Sequence, residues 1–573
     1  MERRVLLAIS LSFLVLFLYQ ALIVPPPPAG NETPGQGPSP SATGAPAAVA
    51  PGAAAAAAAT PAATPEPSAA APAVADASER VIAIETALVR AEFSNRGAHI
   101  LRWVLKRFRN ERGEPLDLIP AGVPAPRVLP FALSTESAEE TAALNAGLYR
   151  VSVRQQEPVS VARHTTVDAT GQAVTLVFEF ETAEGLRVEK TFGIEPTSYV
   201  VTFTARVTRA GQPVNPRVDW GPGLGDEIAR MAPGGFLSPS YSYPAQAIYS
   251  QAGDVTRVTP ASLVPGQSVP GPFRWVGIDD HYFISAFIEP TVPATVEYTP
   301  IVVPPAAPGD PPGRYVAYAA RFAAPPENVR VYFGPKEFDS LRGIDPDFTK
   351  AIHFGIFAWL AAPLLDALKW VHGFVGNWGW AIIVLTVLIN IPLLPLRHKS
   401  VVSMRRMQEL QPQMKAIQDR YKKYKITDPE RQKMNQEVME LYRAKGVNPA
   451  SGCLPMLLTL PFLFAFYSML SQAIEIRGAD FGGWITDLSE HDPLYITPIL
   501  MGLTMFWQQR ITPSTADPTQ QKVMMIMPFM FTFMFLWAPS GLVIYWFVSN
   551  LFAIGQQYFT NFWLGTPVPV KKS

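Results

Sequence analysis

Between about Asn377 and Leu564 the chain holds five apolar spans without a single Asp, Glu, Lys or Arg: Trp380–Leu396, Leu454–Gln472, Pro493–Gln509, Val523–Trp537 and Leu542–Phe562. Lipid has no water to satisfy backbone N–H and C=O groups, so spans this apolar read as transmembrane helices. The insert between the first two, Arg397–Gly452, carries thirteen Lys and Arg against six Asp and Glu; the loop Ala473–Asp492 carries one Arg, Arg477, against five acidic residues. Basic loops stay in the cytoplasm. The insert and the tail 565–573, which ends in Lys571 and Lys572, are therefore expected inside, and the acidic loop outside.

The N-terminus supports the same orientation. Arg3 and Arg4 precede a mostly apolar stretch from Val5 to Val24, and Pro25–Pro28 follow where a signal peptide would have a small-residue cleavage site. Residues 1–24 thus read as an uncleaved anchor, which makes six spans. Residues 25–79 are Pro- and Ala-rich and cannot bury enough apolar area to offset their ordering entropy, so they read as a disordered tether. From 80 to 340 the pattern changes to short alternating runs, such as Val174–Glu181, Tyr199–Val207 and Tyr315–Phe322, which argue for an all-β sandwich outside the cytoplasm. The chain has one cysteine, Cys453, so that domain rests on its hydrophobic core without an intramolecular disulfide.

Residues 341–376 are expected to include a helix lying in the outer interface: Ile356, Leu360, Leu364, Leu368 and Val371 recur at helical spacing, Asp366, Lys369 and His372 cluster elsewhere, and Trp359 and Trp370 suit the headgroup region. Within the insert 397–452, Met404, Met407, Met414 and Ile417 form one apolar stripe and Met434, Val438 and Leu441 or Tyr442 a second. Asp428-Pro429 is a helix start. Two antiparallel cytoplasmic helices follow, with Tyr424–Thr427 near their tip.

Several strings resemble the YidC family of membrane protein insertases in its Gram-negative form. They are Asn377-Trp378-Gly379-Trp380, Val447-Asn448-Pro449 leading into Gly452-Cys453-Leu454-Pro455, Asp492-Pro493-Leu494-Tyr495, Pro498-Ile499-Leu500-Met501-Gly502, and Pro539-Ser540-Gly541-Leu542-Val543-Ile544-Tyr545-Trp546. The resemblance covers residues 377–564 in order; the outer domain resembles the family more weakly, through Asn95-Arg96-Gly97 and Trp275-Val276-Gly277-Ile278-Asp279-Asp280. It implies a polytopic α-helical protein of the bacterial inner membrane, with an all-β super-sandwich in the periplasm and a five-helix core over 377–564. Its implied clients are nascent membrane proteins, and its implied partners are the ribosome and the Sec translocon with its accessory subunits.

The resemblance also implies a hydrated groove open to cytoplasm and lipid. Its candidate lining is Thr386, Asn390, Arg397, Thr459, Gln508, Tyr545, Trp546 and Ser549. Uncharged polar groups spread over several spans equally suit interhelical hydrogen bonds worth about 1 kcal/mol or less each. Family members commonly carry a basic residue, usually Arg, at the position aligned with Asn390. The neutral residue here leaves two readings: a groove working through hydration, or a charge displaced to Arg397, seven residues and roughly 10 Å further along the helix. Met524, Met527, Met530 and Met534 crowd a span that covers only about 22 Å of a hydrocarbon core of about 30 Å. They suit either ordinary lipid-facing packing or an adaptable slide for unrelated client helices. Lys422, Lys423 and Lys425 at the insert's tip suit ribosomal RNA or anionic lipid headgroups.

Two other classes of function compete. A proton-coupled secondary transporter usually needs intramembrane carboxylates or His, and these spans have none. A membrane-tethered carbohydrate-active enzyme would use the β domain, but adjacent Asp279 and Asp280 point to opposite faces of a strand. No His-Glu-x-x-His, phosphate loop or Gly-x-Ser-x-Gly elbow occurs. Neither enzymatic activity nor a small-molecule substrate, cofactor or metal is expected. The charge pattern makes a direct prediction: protease added outside spheroplasts digests the β domain or its tether and spares the insert. Cleavage within Arg420–Lys433 under those conditions would overturn the topology.

Overall fold

The computed structural model describes residues 74–564 apart from 111–112, 121–122, 124–126, 156–160, 222, 226–242, 244, 291, 304–312, 425–427, 448–453 and 513–517. The expected anchor 1–24, the tether up to residue 73 and the tail 565–573 lie outside the described residues. The end of the expected disordered tether is ordered. Val74 exchanges both backbone hydrogen bonds with Glu181, Asp76 N–H donates to Leu148 O, and the Asp76 carboxylate pairs with Arg80 at 2.5 Å. Backbone pairing to an existing strand supplies what the side chains of this Ala-rich stretch cannot.

The outer region is β-rich, as the alternation predicts. Its largest sheet runs from Asp254–Val258 through Gln246–Gln251, Trp275–Asp279, Phe283–Ile288, Val329–Pro335, Val200–Arg209, Leu186–Ile194 and Val174–Glu181 to Arg150–Arg154. Two five-stranded sheets cover it: one is built around His99–Arg109, Val89–Ser94 and Val81–Glu85, the other around Ala294–Val303, Gly313–Phe322 and Arg217–Trp220. Phe333 of the large sheet lies between them, stacked on Trp103 of one at 5.2 Å and met edge-on by Trp220 of the other at 5.0 Å. Phe93 against Phe192 (5.1 Å) and Phe322 against Phe287 (5.4 Å) extend the contact either way. A short helix, α1 (Ala138–Ala146), is capped by Ser137.

Asn95-Arg96-Gly97 is a turn that this core holds from below. Gly97 takes φ +66°, and a Cβ there would meet the His99 ring and Asn145 O. The fully buried Lys190 donates to Gly97 O at 2.7 Å and Phe131 O at 2.8 Å.

The helical region begins with α2 (Phe338–Ile344) and a 3₁₀ segment, Pro346–Ala351, followed by α3 (Ala358–Val375). Ala361, Leu364, Leu365, Leu368 and Val371 of α3 are buried, while Trp359, Trp370 and Phe374 are exposed. Ile356 departs from the expected stripe: it lies in a separate 3₁₀ turn, Gly355–Phe357, and is exposed. Asp366 pairs with Arg342, and Lys369 with Asp339, so the charged side of α3 is fastened to α2.

Gly376 (φ +72°) ends α3, and Asn377 caps α4 (Trp378–Glu409), which continues through Pro392 and Pro395 into the basic insert. There α5 (Gln411–Arg420) and α6 (Pro429–Ala444), the latter capped by Asp428, pack Met407, Leu410, Met414, Val438 and Tyr442 into a small core of their own. The remaining helices are α7 (Leu454–Gln472), α8 (Ile496–Ile511), α9 (Pro518–Met534) and α10 (Ser540–Leu564). By length and composition alone, α4 is the one helix among the described residues able to cross a bilayer; Met524–Trp537 is a shorter apolar stretch. Helix α9 starts five residues before the expected span, and the last three residues of that span, Phe535–Trp537, form a 3₁₀ turn.

Burial lowers the Lys190 pKa from 10.5 to about 7, partly opposed by Asp219. Between those values the unfolded chain holds a proton that the folded chain lacks, so this group's contribution to stability rises with pH across the window and is smallest below pH 7. The thermal midpoint of the detergent-solubilised protein, relative to Lys190→Met, is expected to increase from pH 7 to 9.5. The limiting slope is about 1.4 kcal/mol per pH unit. A pH-independent difference would refute the assignment.

Candidate functional site

The strings that carry the resemblance meet at the outer end of the helical region. Asn377 Oδ1 accepts Trp380 N–H, and Asn377 Nδ2 donates to Asp480 O at 2.9 Å. Gly379 is required because a Cβ would come within 2.0 Å of the Phe481 ring. Ser540 donates both N–H and Oγ–H to Glu490 O, and Gly541 N–H donates to Leu488 O at 2.9 Å. Asp492 accepts from Leu494 N–H, Thr497 N–H and the Thr497 hydroxyl at 2.7–2.9 Å, while Tyr495 between them takes φ +55°. The loop 473–492 thereby ties α4, α7, α8 and α10 together.

Below this cap, α4 and α10 run side by side. Gly541 packs against Ile382, Gln556 Nε2 lies 3.5 Å from Leu394 O, and His398 Nδ1 lies 3.4 Å from the Thr560 hydroxyl; Arg405 bonds Asn561 near the inner end. Thr386 and Asn390 are buried on this seam. Their donors are used within α4: Thr386 Oγ1–H donates to Ile382 O at 2.6 Å and Asn390 Nδ2 to Thr386 O at 2.7 Å. The Tyr545 ring stacks on Phe466 of α7 at 4.4 Å, with Arg397 in electrostatic range and Ser549 one turn further along α10.

Other expected groove residues fall elsewhere. Trp546 packs among Phe535 (5.0 Å) and Phe531 (5.9 Å), on a different face of α10 from Tyr545. Gln508 is half-buried on α8, where its carbonyl accepts from the Thr512 hydroxyl. The Thr459 side chain and Lys425 lie outside the described residues. Lys422 is exposed and paired with Asp419 at 2.6 Å; Lys423 lies over the Tyr424 ring. Met524, Met527 and Met530 are exposed on α9, whereas Met534 is half-buried against the core. The same surface exposes Ile526, Phe529 and Phe533, which attention to methionine passed over. The inner seam of His398, Arg405, Gln556, Thr560 and Asn561 was also missed. Its signal is present in the chain, because Gln556 and Thr560, and Gln557 and Asn561, stand four apart in an otherwise apolar span.

The outer region docks on the end of α7. His281 Nε2 hydrogen-bonds Ser471 O at 2.7 Å, Phe338 N–H donates to Glu475, and the Arg477 guanidinium lies over the Tyr282 and Phe283 rings. Asp279 and Asp280 serve this junction separately. Asp279 pairs with the buried Lys336 at 3.1 Å, while Asp280 accepts from the N–H groups of Tyr282 and Phe283. Burial pushes the Asp280 carboxyl up to about 6, against those hydrogen bonds.

The sequence matches the family profile described as 60Kd inner membrane protein over residues 370–565 and that of the YidC periplasmic domain over 81–367. It is 36% identical to the membrane protein insertase YidC of Geobacter metallireducens, covering 98% of each chain. It is 34% identical to that of Syntrophus aciditrophicus, covering 98% of this chain and 99% of the relative. A crystal structure of an active YidC insertase with its first transmembrane domain resolved aligns over 84% of this chain and 95% of that chain at 18% identity, with a TM-score of 0.34, too low to add to the argument. The chain belongs to the YidC family of membrane protein insertases.

Asp492→Ala removes three accepted hydrogen bonds at the start of α8, and losing such a cap costs about 1–2 kcal/mol. A lowered thermal midpoint in detergent is expected, with Asp492→Asn falling between the two. An unchanged midpoint for Asp492→Ala would show that the cap carries no stability.

Proposed function

We propose that this chain inserts and helps fold nascent membrane proteins at the bacterial inner membrane, alone or with the Sec translocon. The observation that carries this reading is the match to membrane protein insertases along 98% of the chain, which spans both regions rather than one transferable domain. On this reading the chain crosses the membrane six times, counting the anchor 1–24. The β region and the loop 473–492 lie in the periplasm, and α5, α6 and the tail lie in the cytoplasm. The charge asymmetry of the loops supports that topology.

The polar seam between α4 and α10 supports a hydrophilic path that narrows toward the outside. At its inner end stand Arg405, His398 and Arg397; at its outer end the loop 473–492 closes it with backbone hydrogen bonds. A polar client tail entering from the cytoplasm would meet side-chain hydrogen-bonding groups before reaching lipid, which lowers the cost of moving it part-way across. The exposed apolar surface of α9, including Met524, Met527 and Met530, would receive the client's hydrophobic segment. Exposed Lys422 and Lys423, with Lys425, would contact the ribosome or anionic lipid.

Depletion of the protein should leave small inner-membrane proteins uninserted, as read by protease accessibility of their tails. Insertion that continues unchanged would overturn the reading. In cells that retain the protein, reversing Lys422 and Lys423 to Glu is expected to lower insertion several-fold while the protein still assembles. If insertion and ribosome co-sedimentation both stay unchanged, the lysines serve orientation only.

A further inference from the structure

The charged side of α3 meets α2 in a closed square of ion pairs. Arg342 approaches Asp339 at 2.8 Å and Asp366 at 3.1 Å, and Lys369 approaches the same two carboxylates at 2.9 and 3.2 Å. The Phe338 ring lies against both cations, 5.0 Å from each. The four groups are not equally open. The Lys369 ammonium is buried at the base, whereas the side chains of Arg342, Asp366 and Asp339 are each about half exposed. Ion pairs this open hold their partners weakly, so another pair of opposite charges can exchange into them at little cost. The square sums to zero charge, and its open rim carries two carboxylates beside one guanidinium.

The surroundings are those of a lipid surface. Trp359, Asp366 and Trp370 stand seven and four residues apart and share one face of α3, on which both indoles are exposed. The opposite face is already packed: Ala361, Leu365 and Leu368 are fully buried. Indoles collect at headgroup level, and the outer topology proposed above puts this face there.

We propose that the rim of Asp339, Arg342 and Asp366 binds the headgroup of a zwitterionic phospholipid with a primary ammonium, phosphatidylethanolamine, in the outer leaflet. The phosphate accepts from the planar fork of Arg342, and the ammonium donates to the two carboxylates. An anionic headgroup would meet two carboxylates for one open cation. A choline headgroup offers no N–H to either carboxylate. Trp359 and Trp370, roughly 16 Å apart along the helix axis, are too distant from each other to cage one quaternary ammonium. A lipid held at this rim touches both α2, which follows the last strand of the β region, and α3, so the bilayer itself helps to fasten the outer region. The inference goes beyond the insertase reading and is tested without an insertion assay.

Native mass spectrometry of the full-length protein in detergent is the test, with phosphatidylethanolamine, phosphatidylcholine and phosphatidylglycerol of identical acyl chains as probes. The first phosphatidylethanolamine should bind about fivefold more tightly than phosphatidylcholine, the size of one hydrogen bond of ordinary net strength. That preference should vanish in Asp366→Asn combined with Arg342→Gln, which keeps the summed charge at zero, and should persist in Asp366→Glu. If the double variant is unstable in a thermal melt, Asp366→Asn alone, which leaves Arg342 paired with Asp339, carries the same comparison. Equal binding of phosphatidylethanolamine and phosphatidylcholine by the wild type, or a preference untouched by the variants, would overturn the proposal. Tighter binding of phosphatidylglycerol than of phosphatidylethanolamine, lost in Arg342→Gln, would overturn it in favour of an anionic headgroup.

Discussion

The helical region depends on hydrogen bonds between helix ends and the backbone of one outer loop. Leu488 O, Glu490 O and Asp480 O accept from Gly541, Ser540 and Asn377, and the Asp492 carboxylate fixes the start of α8. Helix ends carry unsatisfied backbone groups, and at a membrane surface those groups need partners that water supplies only in part. A loop of some twenty residues here satisfies several helices at once. Their spacing at this end is thereby set, while α4 and α10 stay in contact further along through Gln556, His398 and Arg405.

That asymmetry shapes the seam below. Near the cap the packing is small and apolar, Gly541 on Ile382, with Thr386 satisfying itself within α4. Further along, the contacts become polar and finally include a cation: Gln556 to Leu394 O, His398 to Thr560, Arg405 to the Asn561 amide oxygen. Side-chain polarity thus rises along the two helices from the Gly541 end to the Asn561 end.

Much of this was legible in the chain, and the parts that were not share a cause. The charge counts of the loops and the alternation of Val174–Glu181 are local properties, and they led to a β-rich outer region and a helical C-terminal region. The roles of the strings that resemble the family were hidden, because Asn377 and Ser540 act through backbone groups far away in sequence and Gly379 through the distant Phe481 ring, although Asp492 acts locally on Leu494 and Thr497. Trp546 was expected with Tyr545 among the groove residues, yet neighbours on a helix point about 100° apart and only tertiary packing shows which face is which. Ile356 fitted a helical period but precedes the helix, since Phe357 (φ −96°, ψ 16°) leaves helical geometry between the turn Gly355–Phe357 and α3. The tether's end read as disordered because composition cannot register a strand that borrows its partner from Glu181.

The junction between the β region and α7 shows how a titratable group can be made indifferent to pH. A helix C-terminus attracts cations, so a histidine bonded to Ser471 O would ordinarily be protonated more readily. His281 instead has its pKa pushed down to about 4, chiefly by burial and further by the nearby charge of Lys336. Its ring is neutral well above that value, and Nε2–H alone makes the bond, since His281 Nδ1 is buried with no described partner. The attraction of the helix end is outweighed by the cost of burying a third cation near Lys336 and Arg477. A neutral donor keeps the same bond from mild acid upward, and the Arg477 guanidinium over the Tyr282 and Phe283 rings adds a cation–π contact. The His281–Ser471 contact therefore holds wherever His281 is neutral, while Asp280, whose carboxyl burial pushes up to about 6, is the group at this junction that changes charge in mild acid.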